Sequence, residues 1–114
     1  MKPITEYSDK ELLELTADAV IHSSWKGNQA FKSGFLSSWN PLTDAGDRAR
    51  MCDELQLDML HCKSTGEITV SSSKPTKWHR ERYSDHNNSR TTAANYAAVR
   101  LVAKMELQKR EDGK

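Results

Sequence analysis

The sequence predicts a small α+β fold: two helices, then a three-stranded antiparallel sheet, then a third helix. Two changes of hydrophobic period carry that expectation. Apolar residues recur at helical spacing up to Leu55, alternate between Leu57 and Tyr83, and return to helical spacing after Ser89. The length adds a third constraint, because 114 residues with 36% hydrophobic content suit one modest core and one domain over 1–114.

The first helix is announced by a capping box, Ser8-Asp9-Lys10-Glu11, in which the hydroxyl and the glutamate each satisfy a backbone N–H. Leu12, Leu15 and Ala19, with Leu13, Thr16 and Val20, give a wide apolar stripe, so the helix runs from Asp9 to Ile21 or His22. Residues 23–41 mix Ser and Gly with Trp25, Phe31, Phe35, Leu36 and Trp39. Aromatics are costly to leave in water, so this segment is expected to fold back over the core, with a helical turn at 28–33. Asn40-Pro41 excludes a helix there, and Thr43 is a good N-cap for a second helix over Asp44–Leu55.

Strand periodicity begins at Leu57, Met59 and His61, and Ser64-Thr65-Gly66 reads as a turn. Glu67–Ser71 forms the second strand and Trp78–Tyr83 the third, separated by a loop at Ser72–Thr76. Ser84–Ser89 consists of turn formers. Thr91 or Thr92 then caps a last helix over Ala93–Lys109, whose buried stripe is Ala94, Ala97, Ala98, Leu101, Val102 and Met105; Arg100 falls off that stripe.

The net charge of +1 conceals a division. Residues 1–73 hold 7 Lys/Arg against 11 Asp/Glu (−4), residues 74–110 hold 9 against 3 (+6), and 111–114 add −1. The basic part either attracts the acidic part within the fold or meets an anionic partner. Lys77, Trp78, Arg80, Arg82 and Arg90 are its candidate anion-binding residues, because guanidinium beside aromatic suits nucleotides and single strands.

Catalysis has one candidate cluster, His79, Glu81, Asp85 and His86, capable of general acid–base work if the side chains converge. On a strand His79 and Glu81 share one face while Arg80 and Arg82 share the other, so proximity in sequence does not amount to a site. Zinc would need Cys52, Cys62, His61, His79 and His86, whose spacing fits no common structural pattern. No metal, cofactor or catalytic residue is therefore assigned. The thiols are expected to be reduced, since the N-terminus lacks a signal-like apolar run and no stretch approaches the ~18–20 apolar residues of a membrane span.

Three stretches resemble one family. These are Trp39-Asn40-Pro41-Leu42-Thr43-Asp44 with Gly46-Asp47, then Arg82-Tyr83-Ser84-Asp85-His86-Asn87, and the Ala-rich helix from Ala93. Together, over residues 39–105, they resemble the phage ABA sandwich domain of small phage and prophage proteins. That resemblance implies a small sheet packed with helices, encoded among bacteriophage accessory genes, and it brings no catalytic residues. Residues 23–38 have no counterpart in it. Trp25, Phe31 and Phe35 of that stretch become the candidate contacts for a protein partner. The expectation is a non-enzymatic accessory protein, acting in the host bacterial cytoplasm, that binds and modulates a host or phage macromolecule. The alternative is nucleic-acid or nucleotide binding through residues 74–90.

Overall fold

In the computed structural model, which describes residues 2–23, 39–73 and 76–113, two helices precede a three-stranded antiparallel sheet and a long helix follows it. The elements are α1 (Asp9–Ser23), α2 (Ala45–Glu54), β1 (Asp58–Cys62), β2 (Glu67–Ser73), β3 (Thr76–Arg82) and α3 (Arg90–Asp112). Single 3-10 turns occur at Ile4–Glu6 and Tyr83–His86. The α+β class and the expected order of elements are both present. The expected turn at 28–33 and the aromatics Trp25, Phe31 and Phe35 lie outside the described residues, as does Lys74.

At the start of α1 the capping box is closed. Ser8 Oγ accepts from the Glu11 N–H at 3.1 Å, and the Glu11 carboxylate accepts from the Ser8 N–H at 2.9 Å. Leu12, Leu15, Thr16 and Val20 are buried behind it.

The approach to α2 is fixed by side chains gripping backbone. Asn40 Oδ1 accepts from the N–H groups of Leu42 (3.2 Å) and Thr43 (3.1 Å), while the buried Asp47 carboxylate accepts from Asn40 N–H at 2.8 Å. The cap is Asp44, not Thr43. Its carboxylate takes the N–H groups of Gly46 (2.7 Å) and Asp47 (3.1 Å), because the Asn40 turn has already engaged the Thr43 N–H and left Asp44 extended.

The sheet order is β1-β2-β3, a meander turned at the first hairpin by Gly66 at φ +68°. β2 continues to Ser73 and β3 starts at Thr76, so the hairpin loop is shorter than the sequence suggested. Ser72, Ser73 and Thr76 read as loop residues, yet they pair Ser72↔Lys77 and Ser73↔Thr76. β3 stops at Arg82. Tyr83 donates its N–H to Gly66 C=O at 2.8 Å and leads into a 3-10 turn, followed by Asn87 and Asn88 at positive φ of 53° and 61°. This reversal places the cap of α3 at Ser89, whose Oγ accepts from Thr92 N–H at 3.1 Å, rather than at Thr91 or Thr92.

α3 is the central element. It packs against β2, β3, α1 and α2, whereas α1 packs chiefly on α3 and more lightly on α2. The layers are therefore sheet, α3, α1. Between Ala93 and Ala103 only Tyr96 and Arg100 escape full burial, and five of the buried residues there are alanines. Small side chains let layers approach from two sides, and alanine costs least in a helix.

Candidate functional site

The alternation of β3 sends two sets of side chains to two environments. Lys77, His79 and Glu81 point toward α3, while Trp78, Arg80 and Arg82 point to the opposite face, which no described element covers. Strand register builds that open face as three rows: Asp58–Ser71–Trp78, Leu60–Thr69–Arg80 and Cys62–Glu67–Arg82. Leu60 at 70% and Trp78 at 59% exposure are the large apolar side chains most exposed to water among the described residues. The Arg80 guanidinium lies 5.4 Å from the centre of the Trp78 ring and 3.5 Å from the Glu67 carboxylate. Cys62 also lies on this face, its thiol drawn down to about 7 by hydrogen bonds from Ser64 and Thr65.

On the inner face Glu81 is 6% exposed and its carboxylate gathers three donors. Oε2 accepts from His79 Nε2 at 2.5 Å, and Oε1 accepts from His86 Nε2 at 2.8 Å and from an Arg100 guanidinium nitrogen at 2.6 Å. An ionised carboxylate only accepts, so both imidazoles carry their proton on Nε2. Burial alone would push the Glu81 carboxyl up, but the three donors outweigh it and hold the group at about 2. The His86 ring stacks on Tyr96 with centroids 4.9 Å apart, Arg100 lies 5.0 Å from the same ring, and the Tyr96 hydroxyl donates to Asp9 at 3.0 Å. The network thus ties β3, the 3-10 turn, α3 and the start of α1 together.

Its members do converge, contrary to the reading that sequence density there is no site. His79 and Glu81 share a face as alternation requires; the 3-10 turn swings His86 onto them, and Arg100 enters from α3. Asp85 stays exposed and makes no bond to the group. Arg100 is not off the buried side either. Thr92, Tyr96, Arg100 and Lys104 form a half-buried i, i+4 stripe along the part of the helix, 93–103, that is otherwise buried, a pattern already visible in the sequence. Chemically the arrangement resembles a general acid–base pair, with Glu81 engaged by three donors and His79 only 7% exposed, beside a surface pocket that His79, Glu81, His86 and Arg100 line.

The five candidate anion-binding residues are divided by the fold. Trp78, Arg80 and Arg82 stand together; Lys77 turns to the helix side; Arg90 opens α3, its guanidinium 5.9 Å from the Tyr83 ring centre. Arg82 and Arg90 make no ion pair among the described residues, whereas Arg110 meets Asp18 at 2.6 Å. Both cysteines are free thiols, and burial pushes Cys52 up to about 11. No group of three or more His, Cys, Asp or Glu among the described residues is placed to hold a metal ion. No described helix is long and apolar enough to cross a membrane.

Fold and surface together define a class: an α+β domain whose sheet is covered on one face by a central helix and, among the described residues, uncovered on the other. No family model matches the chain, and no match is found among curated proteins or solved structures. The resemblance to the phage ABA sandwich domain rests on the three stretches quoted above.

Proposed function

We propose that this chain is a non-enzymatic accessory protein of a bacteriophage, acting in the host bacterial cytoplasm, whose open sheet face binds single-stranded nucleic acid. The observation that carries the reading is the row on β3: Trp78 exposed at 59%, with Arg80 against its ring and Arg82 beyond it on the same face. An exposed indole accepts any base by stacking, and guanidiniums spaced along a strand track successive phosphates. Ser71, Ser73, Thr69 and Thr76 on the same face supply small polar groups that leave the platform flat. The Arg80–Glu67 pair is solvent-exposed on the arginine side, so a phosphate can replace the carboxylate at little cost. The burial of Glu81 under three donors from three elements supports a structural rather than a catalytic role for the inner face.

Fluorescence anisotropy with a labelled single-stranded oligonucleotide at two salt concentrations tests the reading. Binding that weakens steeply with salt is expected, together with a loss of about 1–3 kcal/mol of affinity in Trp78→Ala. Equal binding by wild type and Trp78→Ala, or none at low salt, overturns it.

A further inference from the structure

We propose that Arg48, His61, Tyr83 and Arg90 form a binding site for a phosphate group at the β1 side of the molecule, distinct from the open sheet face. The four residues come from α2, β1, the turn after β3 and the first position of α3. His61 Nδ1 and the Tyr83 hydroxyl are 2.7 Å apart, and Arg90 lies over the Tyr83 ring at 5.9 Å. Arg48 is held in place from behind. Its Nε donates to Asn95 Oδ1 at 2.9 Å, and the buried Asn95 is itself anchored by donating to Leu42 C=O at 3.0 Å. A second Arg48 nitrogen sits 3.5 Å from Met59 Sδ, two residues from His61 along the same face of β1.

The cluster is charged on one side only. Arg50, Arg80, Arg100 and Arg110 each meet a carboxylate, but neither Arg48 nor Arg90 does so among the described residues. Burial, then the positive charges of Arg90 and Arg48, push the His61 imidazole below its ordinary value. Folding brings these cations together at an electrostatic cost, and an anion in their midst removes it. Two guanidiniums offer forked N–H donors, and the imidazole–phenol pair adds a further donor; a tetrahedral phosphate, with several acceptor oxygens and up to two charges, uses them more fully than a carboxylate does. The inference does not rest on the sheet-face reading, because the group could be free phosphate or a phosphate of a nucleic-acid backbone.

The test follows His61 through a pH titration of its ring signals by NMR, alone, with inorganic phosphate, and with a single-stranded oligonucleotide. The groups facing the ring are Tyr83, Arg48 and Arg90, so a bound anion must raise its pKa. An upward shift of at least about half a unit is expected with one or both probes. A shift with inorganic phosphate alone assigns the site to free phosphate, and a shift with the oligonucleotide assigns it to the backbone. Arg90 is exposed, so Arg90→Gln keeps the fold, checked by an unchanged melt, and abolishes most of the shift. Trp78→Ala leaves the shift intact, which separates this site from the sheet face. An unmoved His61 with both probes, or an equal shift in Arg90→Gln, overturns the proposal.

Discussion

The two faces of β3 use similar residues for opposite ends. Inward, His79 and Glu81 are buried against α3, the carboxylate gathers three donors, and the result is a buried joint between four parts of the fold. Outward, Trp78, Arg80 and Arg82 have little to hold them and remain in water. Seven consecutive residues thus contain both a scaffold and a surface available to a ligand. Charge and aromatic content cannot tell these roles apart; the pleat does.

The contrast breaks most visibly at Glu81. Glu81→Ala strands two buried imidazoles and a guanidinium, so a loss of about 3–5 kcal/mol is expected in a chemical melt, enough to unfold a marginal domain. A variant within 1 kcal/mol or so of wild type would show that water solvates the network and that the inner face is no scaffold. Acid probes the same joint without mutation. Because the folded carboxyl sits at about 2, below its unfolded value, its contribution is complete above about pH 4.3 and is lost as pH falls toward 2. That contribution is worth about 3 kcal/mol, and the corresponding part of the acid transition should vanish in Glu81→Gln.

On the outer face the ordering reverses, with small effects on stability and larger ones on binding. Replacing Arg80 and Arg82 together by Gln should change stability by less than about 1 kcal/mol, since what is lost is the set of exposed Arg80 contacts to Glu67, Thr69 and the Trp78 ring. The same change should flatten the salt dependence of oligonucleotide affinity by roughly 1.4 in log–log slope, two phosphates at about 0.7 each. If instead the double variant melts markedly lower, these cations serve to offset the acidic residues of 1–73 and the surface reading fails. Leu60→Ser is the mildest probe. At 70% exposure it should leave the melting temperature within error, and a gain in solubility would mark the patch as adhesive.

Periodicity carried most of the fold into view beforehand. The Ser8 box, the strand alternation after Leu57 and the alanine stripe of α3 each appear where the pattern placed them. Caps were less legible: Thr43 and Thr91 or Thr92 were expected, but the neighbouring Asp44 and Ser89 also carry oxygens able to accept the first N–H groups. Turns at Asn40 and at Asn87-Asn88 decided between them, and a turn's exit direction is not written in composition. The Glu81 joint was half legible. His79 and Glu81 belong to one strand, but Arg100 comes from 19 residues further along, and only the packing of α3 on the sheet brings it in. Of the Arg48–His61–Tyr83–Arg90 group only Arg90 stood out as a candidate anion-binding residue, since four separate parts of the fold contribute one residue each.

The position of α3 has a consequence for how the protein is made. The helix that fills the middle of the structure is the last of the described elements to be synthesised, and both flanking layers bury their apolar sides against it. While residues 93–106 are still being added, the sheet has no cover for Ile68 and Val70, and α1 has no bed for Leu12 and Leu15. Core closure is therefore tied to the emergence of α3, after the other described elements have been made. Nascent chains stalled at residue 90 should be cut rapidly by a non-specific protease along their whole emerged length, and chains released after residue 112 should resist it. Until that moment, a ribosome-bound chaperone would find the exposed sheet and α1 as its natural clients.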